Sequence, residues 1–253
     1  MPTEIDINCD MGESYGNYRM GNDEAIFPWI SSCNIACGFH GGDALQIEET
    51  IKKAMSHGLQ LGAHPSYPDL QGFGRRYMQI NPRELTAMLK YQISAVRGMT
   101  ESLGGTLSYV KPHGALYNQA ADHETEASAI VQAMKELRGD LKLMGLAGSM
   151  TEQIADAEGV PFITEAFADR KYNDQSRLLS RRQPHAVIHD PIQAAQQFIS
   201  IVQHQFVISN EGKKVPVSAQ SICIHGDNHA VIEILKAIDE ALVKHQILKK
   251  AFA

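Results

Sequence analysis

The chain has 253 residues and a formal net charge of −6, with 29 Asp and Glu against 23 Lys and Arg. That balance removes the broad basic footprint of a nucleic-acid binder, and no run approaches the roughly eighteen uninterrupted apolar residues of a membrane-spanning helix. An anionic substrate would have to meet positive charge that is local rather than global.

Seven short apolar runs each end in a polar cluster, and each reads as a strand leading into a loop. EIDINCDMGES (4–14) is the first and CNIACGFHGGD (33–43) the second. The segment 44–57 then places Leu45, Ile47, Ile51, Ala54 and Met55 on one helical stripe, with Glu48, Glu49, Lys52 and Lys53 outside and Gly58 as the stop. LQLGAHPSYPD (59–69) is the third strand. Asn81, Pro82 and Glu84 give a capped start to a helix over 81–104. SYVKPHGALYN (108–118) is followed by a helix over 122–137, LKLMGLAGS (141–149) by one over 149–157, and FITEAFADR (162–170) by one over 190–204. QFVISNEGKKVPVS (205–218) reads as a surface excursion turning at Asn210 to Gly212, and SICIHGDN (221–228) leads into a last helix over 228–245.

Such alternation requires parallel strands with crossover helices. Candidate chemistry sits at nearly every strand end, as around the mouth of a barrel, whereas a doubly wound open sheet concentrates its site at one crevice. The pattern predicts one α/β domain over residues 1–253, a TIM-like (β/α) barrel in which seven strands are evident, a slightly irregular or incomplete ring being as consistent as the eight-stranded form. The four cysteines lie in or beside strands, where thiols behave as small apolar residues. The start MPTEIDINCD lacks the basic and apolar stretches of a signal peptide. Both point to a reducing, cytoplasmic setting.

Period-two alternation puts Asp6, Asn8 and Asp10 on one side of the first strand, an odd choice for a barrel interior unless they meet partners or substrate. Asp6 and Asn8 can be explained by buried hydrogen bonds alone; Asp10, at the strand end before Glu13, is better placed for chemistry. In HGGD the glycines allow close backbone approach beside His40 and Asp43. The third strand supplies His64, and the fourth Lys111 and His113 on one face. A lysine inside a barrel mouth is unfavourable unless it meets an acid or an anionic ligand. The sixth run ends in Glu165, Asp169 and Arg170 and the seventh in His225 and Asp227. Arg170, or Arg75 or Arg76 in GFGRR, could clamp a carboxylate bidentately; the bland alternative is a salt bridge to Glu165 or Asp169.

Such carboxylate and imidazole groups serve either proton transfer or ligation of a divalent metal, for which Asp10, His40 and His64 are the candidates. The spacing CNIAC is not a zinc signature, and HExxH, GxSxG and GxxxxGK[ST] are all absent. A serine hydrolase and a P-loop nucleotide site are thereby set aside.

The blocks DINCDMGES, SSCNIACGFHGGD, GAHPSYPDLQGFGRR, VKPHGALYN, EAFADRKY and ICIHGDN, spread in order from about Asp6 to Val231, closely resemble the LamB/YcsF family. The resemblance implies ATP-coupled hydrolysis of 5-oxo-L-proline to L-glutamate by the first of three components of a 5-oxoprolinase, working with the B and C subunits. It also implies a seven-stranded barrel of the glycoside hydrolase/deacetylase type. ATP, with magnesium or a bound ion at the barrel mouth, is the cofactor so implied. Carried over by motif, Asp10, His40, His64, His113, Glu165 and Asp227 are expected in catalysis, and Glu13, Asp43, Lys111, Asp169, Arg170 and His225 in substrate binding. Lys111 or Arg170 would hold the substrate carboxylate, while Asp10 with His64 or His113 handles protons or a metal. Two departures stand out: Gly41 where the family commonly has Ala, and Ser176 near where a glycine is expected. A stand-alone metal-dependent amidohydrolase or carbohydrate deacetylase, and a non-catalytic binding component, are the competing readings.

Overall fold

A computed structural model describes residues 3–137 and 139–252. Strands β1 (Glu4–Met11), β2 (Ser32–Ala36), β3 (Gln60–His64), β4 (Leu107–Val110), β5 (Lys142–Leu146) and β6 (Phe162–Phe167) pair in parallel in chain order. After a separate antiparallel hairpin of β7 (Phe206–Ile208) and β8 (Lys214–Pro216), β9 (Ser221–Cys223) pairs with both β6 and β1 and closes the ring. All seven strands read from the sequence are its members. A short β10 (Leu248–Lys249) lies beside the start of β1.

The helices are α1 (Asp23–Ile26), α2 (Ala44–Ser56), α3 (Pro82–Ser102), α4 (Gly114–Asp122), α5 (Glu124–Glu136), α6 (Met150–Ala157), α7 (Pro191–His204) and α8 (Val231–His245). Their ends follow local chemistry. The Asn81 side chain accepts from Arg83 N and Pro82 opens α3, while the Asp190 side chain caps α7 through Gln193 N ahead of Pro191. The helix expected over 122–137 is α5, which starts after His123, whose backbone is extended and separates it from α4. The helix α4 went unread because VKPHGALYN looks like a strand ending, whereas GALYNQAAD turns helical at once and buries Leu116, Tyr117, Ala120 and Ala121. The excursion 205–218 contains the β7–β8 hairpin.

Most of the apolar core lies between the outer faces of the strands and the helices. Inside the ring only a small cluster of Tyr109, Met144 and Ile163 packs with Phe252. Gly62 makes room for it, since a Cβ there would fall 2.3 Å from the Tyr109 ring. The rest of the interior carries polar side chains. All four cysteines are buried and free. Among the described residues, no helix is long and apolar enough to cross a membrane.

Candidate active site

Asp6, Asn8 and Asp10 all enter hydrogen-bonded contacts within the barrel. Asp6 accepts from Ser31 (2.7 Å), Ser32 (2.6 Å) and Ser221, and burial pushes its carboxyl up to about 6. Its role is structural. Asp10 belongs to a different circuit, centred on the buried Lys111. The Lys111 ammonium lies 3.0 Å from Asp10 Oδ1, 2.8 Å from Glu165 Oε1, 3.1 Å from Asn8 Oδ1 and 3.2 Å from Cys223 Sγ. Burial alone would depress Lys111, but Asp10, Cys223 and Glu165 hold it well above the usual lysine value. Burial would likewise raise Asp10, yet His64 and Lys111 keep it well below the ordinary carboxylate range. The cation that looked unfavourable in the sequence is thus met by two acids. Its donors are committed to them, which argues against Lys111 as the holder of a substrate carboxylate.

Four side chains gather beside this pair. His64 Nδ1 sits 2.7 Å from the Lys111 carbonyl oxygen, and its Nε2 lies 3.3 Å from Asp10 Oδ2 and 2.9 Å from His113 Nδ1. His113 Nε2 in turn donates to Phe73 O at 2.8 Å. The His113 ring stacks on His40 at 3.7 Å, and His40 Nε2 lies 3.0 Å from Glu13 Oε1. Burial, with His40 and His64 adjacent, holds His113 well below the usual imidazole range, and burial lowers His40 against the opposing pull of Glu13. Glycines permit the crowding. A methyl at Gly41 would come 2.6 Å from the Glu13 carbonyl oxygen, and Gly74, at φ +63, would place a Cβ 2.7 Å from His113 Cδ2. The Gly41 departure therefore lets the loop after β1 press directly on the segment carrying His40.

A third group completes the mouth. His225 Nδ1 is 2.8 Å from Asp169 Oδ1, its backbone N–H donates to Asp169 Oδ2 at 3.1 Å, and its ring stacks on Phe167. With Nδ1 donating to the carboxylate, Nε2 carries the lone pair. Burial lowers His225 below the usual imidazole value while Asp169 opposes. Asp227 is bridged by Arg75 and by Arg181, the latter at 2.9 Å.

These groups face a cavity of about 630 Å³. Of the twelve expected residues, Asp10, Glu13, His64, Lys111, His113, Arg170, His225 and Asp227 line it. The other four do not. Asp43 caps α2, accepting from Leu45 N and Gln46 N, and from Gly16 N at 2.8 Å, so its carboxylate is committed to backbone rather than to substrate. Glu165 is fully buried and held by Asn8, Lys111 and Tyr117 (2.7 Å), and Asp169 is held against His225. Both hold cavity-lining neighbours in place, Lys111 and His225 respectively, instead of touching the cavity. His40 lies beneath His113. The bland reading of Arg170 also fails: its Nη2 donates to Leu179 O, and no carboxylate pairs with it among the described residues.

The sequence reading missed Arg177, Arg181 and Arg182, which line the cavity from the loop after β6. The available signal was the density of arginines in SRLLSRR (176–182), a stretch with no helical or strand period. Ser176 there adopts φ +58, the conformation a glycine would favour, and its hydroxyl is tied to Pro216 O at 2.9 Å. The turn is thus retained without the glycine.

Glu13, His40, His64 and His113 each offer a ligand atom within 4.8 Å of the others and could hold a metal ion. The donor set suits zinc or a similar ion, and the contacts of His64 and His113 with backbone carbonyls are the orientation that metal-bound imidazoles show. Asp10, named from the sequence, falls in a different group with Cys223 and His225.

Residues 5–253 match the LamB/YcsF family. The chain is 50% identical over 248 residues to a protein of Acinetobacter baylyi named as the A subunit of 5-oxoprolinase, covering 98% of each. The crystal structure of a "Lactam Utilization Protein" from Thermus thermophilus superposes with a TM-score of 0.92 at 40% identity, covering 98% of this chain and all of that one. A family 4 carbohydrate esterase from Streptomyces lividans, with a TM-score of 0.51 at 10% identity over 99% of this chain and 93% of that one, shares the fold alone. This chain belongs to the LamB/YcsF family.

Proposed function

We propose that the chain is the A subunit of a cytoplasmic, ATP-dependent 5-oxoprolinase, which opens 5-oxo-L-proline to L-glutamate together with B and C subunits. The observation that carries this reading is the mouth of the barrel: Lys111 ion-paired with Asp10 and Glu165, and a His225 whose Nδ1 is held by Asp169, beside a cavity walled by arginines. The match to relatives bearing the names given above supplies the substrate.

An unstrained lactam is a poor acyl donor, which is the chemical reason for coupling. Transfer of the terminal phosphoryl group of ATP to the lactam oxygen, with loss of the ring N–H proton, gives an O-phosphorylated imidate and ADP. Water then adds to that carbon. His225 Nε2, oriented by Asp169, is placed to take the proton of this water. The adduct's nitrogen takes one proton from the Asp10–His64 pair and a second from the adduct's own hydroxyl as that carbon–oxygen bond becomes C=O, and the ring C–N bond breaks, leaving γ-glutamyl phosphate. A second water hydrolyses it to glutamate and phosphate. Lys111 keeps Asp10 ionised and holds Asp10 and Glu165 in place, and the arginines provide the positive charge that the anionic substrates require.

The His/Glu cluster favours a second reading, a metal-dependent amidohydrolase that needs no nucleotide. One assay separates them: glutamate release from 5-oxoproline by the purified chain, with and without B and C, with and without ATP. Turnover only with ATP and both partners supports the first reading. Turnover by the chain alone without ATP, abolished by a chelator, supports the second. Binding without turnover in every mixture would leave a non-catalytic component.

A further inference from the structure

The net charge of −6 conceals a cavity wall of opposite sign. Arg75, Arg76, Arg170, Arg177, Arg181 and Arg182 line the cavity. Among the described residues the carboxylates paired with them are only three: Asp69 with Arg76, Asp122 with Arg177, and Asp227 shared by Arg75 and Arg181. Arg170 is the unusual member. It is 4% exposed, its Nε is buried with no hydrogen-bond partner, and it has no carboxylate among the described residues. Its one bond is to a neutral carbonyl, Leu179 O. Burial, reinforced by Arg181 and opposed in part by Asp169, which is near but not ion-paired with it, pulls its guanidinium down to about 10. A buried cation left without a direct ion pair is unfavourable unless a ligand supplies one.

We propose that Arg75, Arg170 and Arg181 form a phosphoryl-binding subsite on this chain, beside the Asp10–Lys111 floor of the same cavity. The inference rests on the ATP-coupled reading above and deepens it by locating the phosphoryl group here rather than wholly on a partner. A dianion answers the excess of guanidinium charge better than one carboxylate does, and planar guanidinium forks match its oxygens. The phosphoryl group can arrive on a nucleotide or on the phosphorylated lactam; the recognising chemistry is the same. Asp227 is the internal counter-ion that holds Arg75 and Arg181 in position without ligand.

The test is calorimetric titration of the full chain with inorganic phosphate, ATP and 5-oxoproline, using wild type, Arg170→Gln, Arg181→Gln and Lys52→Gln, each checked for folding by circular dichroism. Phosphate is expected to bind wild type and Lys52→Gln alike, and both arginine variants more weakly by about tenfold or more, the loss of one charge-assisted hydrogen bond. The affinity for 5-oxoproline should stay within about threefold. If Arg170→Gln does not fold, Arg181→Gln, whose side chain is 24% exposed, carries the comparison. ATP competing with phosphate assigns the group to the nucleotide, and ATP failing to compete assigns it to the phosphorylated lactam; both support the subsite. No phosphate binding, or equal binding by all four proteins, overturns it. So does loss of 5-oxoproline binding with phosphate binding intact, which would make the wall a carboxylate clamp. Glutamate release by the assembled subunits is read separately, so that its failure counts against the ATP-coupled reading and not against phosphate binding.

Discussion

His64 Nε2 and His113 Nδ1 face each other at 2.9 Å, although each ring has already committed its other nitrogen to a backbone carbonyl. Two neutral rings in those tautomers would present lone pair to lone pair. One added positive charge resolves the contact, either a proton shared between the rings and Asp10 or a divalent ion reached also by Glu13 and His40. Zinc added to the metal-free chain should therefore bind with release of about one proton, seen as a dependence of the heat on buffer ionisation enthalpy. His113→Ala should weaken that binding by roughly tenfold or more. Binding with no proton release would contradict the protonated ground state.

Replacing Lys111 tests the buried ion pair. Lys111→Met leaves Asp10 and Glu165 without their cation in the barrel interior, so the unfolding free energy should fall by about 3–5 kcal/mol. Turnover should collapse through kcat, because the ammonium faces protein acids instead of the substrate. A loss below about 1 kcal/mol in denaturant unfolding, the range of an exposed pair, would show that the pair is solvated.

Asp169 acts through His225. In Asp169→Asn the ring remains but its tautomer is no longer fixed, and kcat in the assembled enzyme should drop by about 10²-fold or more with KM little changed. The acid limb of the pH–rate profile, which reports the neutral His225, should shift as well. Loss confined to KM would assign the pair to substrate binding.

Asp6 provides a pH signature of stability. Its folded carboxyl, near 6, lies above the ordinary 3.8, so the native state holds the proton more tightly than the unfolded chain. Its contribution is fully present below the unfolded value and is lost as pH rises through the folded one, a decline of about 3 kcal/mol between roughly pH 4 and pH 6. Asp10, Asp169 and Asp227, all lowered in the folded state, act with the opposite sign. The contribution is therefore read as the difference between wild type and Asp6→Asn in urea unfolding across that window. A difference that does not change with pH would mean that Asp6 is already ionised in the fold.

The barrel itself was legible in the chain because apolar period and helix caps are local signals. The runs around Asn8, Asn34 and Tyr109 announce strands, and Asn81–Pro82 and Asp190–Pro191 announce helix starts, whatever surrounds them. Polar residues at strand ends also announced a mouth, so Asp10, His64, Lys111, His113 and His225 could be named in advance. What each one touches was decided only by closure of the ring. Parallel pairing of β1 with both β2 and β9 sets Asp10 beside Asn34 and Asn8 beside Cys223, and the stagger of β3 against β4 puts the Lys111 carbonyl under His64. No spacing along the chain encodes those contacts. Likewise Asp43 and Arg170 looked equivalent as charged loop residues, yet one lies at a helix end where backbone N–H groups claim it and the other in a buried wall where, among the described residues, no carboxylate forms an ion pair with it. Charge is a property of the residue, whereas the partner that balances it is a property of the packed fold.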